Sequence, residues 1–190
     1  MLFALQERGK NRLYQAIKDS RGSAGIFTLF FTLVALALTA LVLDIGYLFA
    51  VKINARHALN LALKAAAAQV DMAALSDAEN PRVVILSQEA GEAFYSCLRE
   101  NLRLDARNNP QPGSIVDGPV RVEYFRVVNE VPFSYQYGDF RETIVRPSVT
   151  AVISFPVKIG PWIRVVRPDY GEVVSIYVHS TVAPRIIPKS

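Results

Sequence analysis

The chain has few of the residues that build metal centres or covalent cross-links: one cysteine, Cys97, and two histidines, His57 and His179, among 190 residues. A single thiol cannot close an internal disulfide, so a disulfide-stapled secreted scaffold is excluded, and so is a cysteine-rich zinc site. Two histidines disfavour a histidine-based metal cluster. Signatures of catalysis are missing as well. There is no GxSxG elbow, no P-loop and no HExxH, and the acidic residues are scattered through strand flanks and turns without a pairing that the sequence defines. The sequence therefore reads as non-enzymatic, with no cofactor implied and no small-molecule substrate evident.

Two further absences are regional. Proline is missing from the first eighty residues, and all eleven prolines lie at or after Pro81. Because proline breaks helix interiors, the first part is permissive for long helix and the remainder is typical of strands and turns. Charge is missing from Ile26 to Leu43, eighteen residues in a row. What is present agrees with these gaps. Hydrophobic residues make up 51% and charged residues 20%, which excludes wholesale disorder. The net charge of +4 is local, since residues 1 to 25 hold five Lys/Arg against two acids and leave +1 for everything after. Nucleic acid is not the implied partner.

The uncharged run, built on Ile26, Phe30, Leu33, Leu36, Leu41 and Leu43, resumes after Asp44 as far as Val51. About twenty such residues, at ~1.5 Å rise each, cross a hydrocarbon core of about 30 Å. A transmembrane helix is expected, with membrane lipid as its partner, in preference to a buried core helix. Arg8, Lys10, Arg12, Lys18 and Arg21 precede it more densely than Lys52, Arg56 and Lys64 follow it, so the amino terminus is expected in the cytoplasm and the carboxy-terminal part outside. A cleavable secretory signal has an apolar core of about 7 to 15 residues. This run is longer and continues into Ile45-Gly46-Tyr47, so retention as a single-pass anchor is the better reading.

No proline or glycine occurs from Val51 to Leu75, and Lys52, Arg56, Asn60 and Lys64 recur at i, i+4 along one flank of an otherwise apolar, alanine-rich stretch. One helix from about Ser23 to Leu75 is expected. At ~1.5 Å per residue it would be roughly 80 Å long, so more than half would lie beyond the bilayer. Small side chains at Ala62, Ala65 and Ala66 allow close approach of a partner. That partner is either the protein's own outer domain or a helix of another subunit. Asp44 and Gly46 belong to the same question. Asp44 falls roughly 27 Å along the helix from Ile26, at ~1.5 Å per residue. It is either an interfacial residue in reach of water or the partner of a basic group on a neighbouring helix.

Beyond Ser76 a small α+β domain is expected. Asn80-Pro81 reads as an N-cap and first helical position, opening a second helix that runs to about Leu104 with Val83, Leu86, Ala90, Phe94 and Cys97 on its apolar stripe. Cys97 there reads as a small buried residue. About four antiparallel strands follow. Val120, Val122 and Tyr124 alternate with Arg121 and Glu123; Val131, Phe133, Tyr135 and Tyr137 form a second set; Val149, Ala151, Ile153 and Phe155 form a third. The fourth places Val174, Ile176, Val178, Ser180 and Val182 on one face and Val173, Ser175, Tyr177, His179 and Thr181 on the other. Gly138-Asp139, Gly160-Pro161 and Asp169-Tyr170-Gly171 mark turns. His57 and His179 read as solvated or packing residues.

Three segments taken together carry a family resemblance: Arg21-Gly22-Ser23-Ala24-Gly25-Ile26-Phe27-Thr28-Leu29-Phe30, then Leu43-Asp44-Ile45-Gly46-Tyr47-Leu48, then the alanine-rich Arg56 to Ala67. Over residues 21 to 70 the chain resembles TadE/TadG-like proteins of the tight-adherence (Flp) pilus machinery. In these a basic residue and glycine precede the apolar helix, an Asp-x-Gly closes it and an alanine-rich helix follows. The resemblance implies a pilin-like plan, a bacterial cytoplasmic membrane and partners among the membrane proteins of a pilus or secretion apparatus. Cleaved pseudopilins of the group carry glutamate five residues after the cleavage glycine. Counted from Gly22, that position is Phe27, so the sequence does not favour leader processing there. The chain also has neither the length nor the DxSxS motif of the large adhesion domain found in many TadG-like members.

The expected organisation is a basic cytoplasmic leader over 1–22, a transmembrane helix with an alanine-rich extension over 23–75, and an extracytoplasmic α+β domain over 76–190. The expected function is that of a structural or assembly component, minor pilin-like or pseudopilin-like, of a Tad-type pilus or related secretion apparatus. A signal-anchored binding domain outside any filament is the alternative.

Overall fold

The computed structural model describes residues 20–160, 162–163 and 172–185. The expected basic leader up to residue 19, and the turns expected at Pro161 and Asp169-Tyr170-Gly171, lie outside the described residues. The fold class is α+β, with a long apolar helix followed by an antiparallel sheet. The chain divides into two compact units at Asp44/Ile45.

Helix α1 spans Ser20–Ala67, 48 residues. Nothing in its sequence breaks it: proline is absent, and the hydroxyls of Thr28, Thr32 and Thr39 donate to the carbonyls of Ala24, Thr28 and Ala35 at 2.8 to 2.9 Å. Such back-bonding satisfies polar side chains inside the helix itself, which an apolar surrounding requires. The helix stops earlier than the expected Leu75. At Ala68 to Asp71 the backbone turns to pair with residues 84–86: Asp71 N–H donates to Val84 at 2.8 Å and Leu86 N–H to Gln69 at 2.8 Å. The Asp71 carboxylate then caps a separate short helix, α2 (Met72–Leu75), accepting from Ala73 and Ala74.

The second long helix, α3, spans Ser87–Leu102 and not Pro81 onward. Asp77 explains the shift, because its carboxylate accepts from the Glu79 and Asn80 N–H groups and holds that stretch in a turn. The chain after it is extended, and Ile85 is clamped by the side chain of Asn129, which donates to Ile85 C=O at 2.9 Å and accepts from Ile85 N–H at 2.8 Å. Within α3 the buried positions are Ala90, Phe94, Leu98 and Leu102. Val83 and Leu86 precede the helix, and Cys97 is half-buried beside the stripe.

Five strands follow: β1 (Arg121–Val128), β2 (Phe133–Tyr137), β3 (Phe140–Ile144), β4 (Ser148–Lys158) and β5 (Val173–Val182). They do not make one four-stranded sheet. β1, β4 and β5 form a three-stranded antiparallel sheet in the order β1-β4-β5, while β2 and β3 form a separate hairpin closed at Gly138-Asp139. Gly138 there has a φ of 55°, open to glycine at no steric cost.

The central strand β4 is buried on both sides. Val149, Ala151, Ile153, Phe155 and Val157 join the main core with Ala55, Leu59, Ala62, Leu63 and Ala66 of α1 and Phe94 and Leu98 of α3. On the opposite face, the Thr150 hydroxyl bonds Tyr135 of the hairpin and the Ser154 hydroxyl donates to Glu123 of β1. In β1 the expected alternation breaks. Val122 pairs with Ile153 and Tyr124 with Val152, so Glu123 is a bulge residue. Val122, Phe125 and Val127 pack on the core, whereas Tyr124 stacks on Tyr135 of the hairpin with ring centroids 5.1 Å apart.

Candidate functional site

Two features stand out: the apolar part of α1 and a polar cluster under the hairpin. In the first unit, Ile26, Phe30, Leu33, Leu36 and Leu43 are all more than half exposed, as is Phe27, and Leu41 is half-exposed. The most apolar stretch of α1 has a mean hydropathy of 2.6 with none of its residues buried. A core helix of a soluble protein would hide these side chains. The helix is long and apolar enough to cross a membrane. Gly22 lies in its first turns.

The second unit takes up the rest of the helix. Ala62 and Ala66 have no exposed surface, and Ala65 is half-buried. The close approach offered by the alanines at 62 and 66 is used by the chain's own core. Gly46 is exposed, with open space where a Cβ would stand, and Asp44 is partly buried. The structure thus does not gather Asp44, Gly46, Ala62, Ala65 and Ala66 on one free surface.

The polar cluster joins residues from four strands. Tyr135 on β2 and Glu142 on β3 sit opposite each other in the hairpin. They point at Thr150 of β4 and at His179 and Thr181 of β5. The Tyr135 hydroxyl lies 2.8 Å from Thr150 Oγ1, bonds His179 Nε2, and reaches Glu142 Oε2 at 3.4 Å. Thr181 donates to Glu142 and bonds Thr150 at 2.9 Å, and His179 Nε2 lies 3.4 Å from Glu142 Oε2. The Phe140 ring covers the imidazole at 5.1 Å. Burial holds the His179 pKa below its ordinary value, with the nearby Arg56 acting in the same direction and Glu142 opposing it. Burial likewise raises that of Tyr135. A neutral imidazole accepting from Tyr135 fits both shifts.

Chemically, this cluster is a fastener. Its donors and acceptors are consumed by one another, and among the described residues no buried side-chain polar atom lacks a partner. Beside it, Tyr137 donates to Glu123 at 3.1 Å, and Ser154 donates to the other oxygen of the same carboxylate. The bulge is what places Glu123 there. Among the described residues no group of three or more His, Cys, Asp or Glu could hold a metal ion. The sequence offered no sign of this cluster, because it depends on β3, which was not foreseen, and on contacts up to 44 residues apart.

No family model, no curated protein and no solved structure matches this chain.

Proposed function

We propose that the chain is a structural or assembly component, minor pilin-like or pseudopilin-like, of a Tad-type pilus or a related secretion apparatus. In this reading α1 anchors it in the bacterial cytoplasmic membrane as a single pass, with the amino terminus in the cytoplasm and the α+β domain outside. The observation that carries the reading is the double use of one helix. Its first part leaves large apolar side chains exposed from Ile26 to Leu43, and its later part supplies Ala55 to Ala66 to a packed core. Lipid is the surrounding that removes the cost of the first, since burial of apolar area is favourable at about 25 cal/mol per Å². The sequence resemblance over residues 21 to 70 supplies the pilus assignment.

The test is extraction of the protein from its own cells with mild detergent, followed by intact-mass measurement and identification of co-purifying proteins. Recovery in the membrane fraction together with pilus or secretion membrane proteins is expected. Recovery as a lone monomer, or from the soluble fraction, refutes the reading. The mass also reports whether residues 1 to 22 are removed.

A further inference from the structure

The three-stranded sheet has two outer edges that differ sharply. β1 is guarded by the features that normally stop strand-to-strand association: the bulge at Glu123 and the charges Arg121, Glu123 and Arg126. β5 carries none of them. Its ten residues, Val173 to Val182, contain no proline, no lysine and no carboxylate, and they pair with β4 in unbroken register. Among the described residues, the only backbone hydrogen bond next to this strand outside its ladder to β4 joins Ile159 to Glu172. Every second residue of such a strand turns its N–H and C=O outward. Val173 and Tyr177 on it are exposed.

The edge is bordered by a row of cations. Asn60 of α1 is bonded by the hydroxyl of Ser180, Arg56 lies near enough to His179 to oppose its protonation, and Lys64 lines a groove with Val182 and Ala183. Helix spacing puts Lys52 in the same row. Lys52, Arg56 and Lys64 are exposed, and among the described residues none of them forms an ion pair. The same contacts show that α1 and β5 run in the same direction, 56 to 64 alongside 179 to 183.

Charge decides the occupant. Self-pairing of two copies through β5 would set their exposed cationic rows of Lys52, Arg56 and Lys64 against one another, whereas carboxylates would meet them favourably. We infer that the β5 edge is a docking site for an extended, acidic segment of another polypeptide, which adds a fourth strand to the sheet and sets its carboxylates against Lys52, Arg56 and Lys64. Backbone pairing supplies the contact and the cationic row supplies the selection.

The experiment uses the full chain in detergent and a short synthetic peptide alternating valine with glutamate. Amide hydrogen exchange is followed across the sheet. At a peptide concentration ten times its dissociation constant, exchange along β5 is expected to slow about tenfold while β1 is unchanged. The lysine version of the peptide, and a version N-methylated at every second amide, should give no slowing. Charge reversal by Lys52→Glu with Arg56→Glu should transfer the preference to the lysine peptide. This double variant keeps the edge intact, so its folding is read from unchanged exchange in β4. Equal slowing by both peptides, slowing at β1, no slowing at all, or a β5-to-β5 dimer of the full chain would each overturn the inference. Membrane extraction with carbonate scores the anchor separately, so failure of one does not stand for failure of the other.

Discussion

Asn129 offers the most direct test of how the helical layer is tied to the sheet. Its side-chain amide mimics a neighbouring strand, bonding both the N–H and the C=O of Ile85, a residue with 1% of its surface exposed. Asn129→Ala removes two neutral hydrogen bonds, each contributing about 0.5–1.5 kcal/mol, and leaves two backbone groups where water has little access, at about 1–3 kcal/mol each when fully unsatisfied. Partial relaxation of the 81–86 segment lowers the sum, so a loss of about 2–4 kcal/mol is expected. The readout is amide exchange in the full chain in detergent, at Ile85 itself and at Asp71 and Leu86, whose N–H groups pair the same segment. A loss of 2 kcal/mol accelerates opening about 30-fold. Asn129→Asp keeps the acceptor and loses the donor, so it should fall between the wild type and alanine. Exchange at Asp71 and Leu86 changed less than about twofold, no more than the ~0.5 kcal/mol of an ordinary surface substitution, would refute the view that this amide holds the segment.

The polar cluster predicts a pH response. The His179 pKa is depressed below the ordinary 6.5, first by burial, with Arg56 adding to and Glu142 opposing that effect, so the stability it contributes is present above 6.5 and is lost as pH falls through the depressed value. The thermal unfolding temperature of the α+β domain should therefore drop on acidification from neutrality, and His179→Gln should flatten that drop. Ala62→Leu overfills a site with no exposed surface and should cost about 1–3 kcal/mol, whereas Ala65→Leu, half-buried, should cost clearly less; denaturant midpoints compare them. Leu36→Asp in the exposed apolar stretch should lower the membrane-bound fraction in carbonate extraction, since a mid-bilayer aspartate costs about 2.5–3.5 kcal/mol on insertion scales.

How much of this was legible from the residues follows from how local each signal is. The apolar run and the absence of proline are local, so α1 was readable from about Ser23, three residues after its actual start, and β4 and β5 were readable from alternation. Boundaries set by distant contacts were not. α1 ends at Ala67 because residues 69–71 pair with 84–86, and α3 starts at Ser87 because Asp77 and Asn129 hold the preceding stretch out of helix. β3 carries Arg141, Glu142 and Thr143 between Phe140 and Ile144, so its apolar signal is too thin to mark a strand until β2 is placed beside it. The cluster of Tyr135, Glu142, Thr150, His179 and Thr181 was hidden for the same reason. The place of β5 at the edge of its sheet was equally hidden, because strand order is a property of the whole sheet.

The bulge at Glu123 leaves β1 with one residue to spare. Removing Glu123 would join Val122 directly to Tyr124 and restore plain alternation, with Val122, Phe125 and Val127 still inward and Tyr124 still outward; only the carboxylate's links to Tyr137 and Ser154 would go. The same single-residue deletion in the middle of β4 or β5 would throw every following side chain to the wrong side. Length variation in this sheet is therefore tolerable in one strand alone, and a shortened β1 would keep its shape while losing its grip on the hairpin.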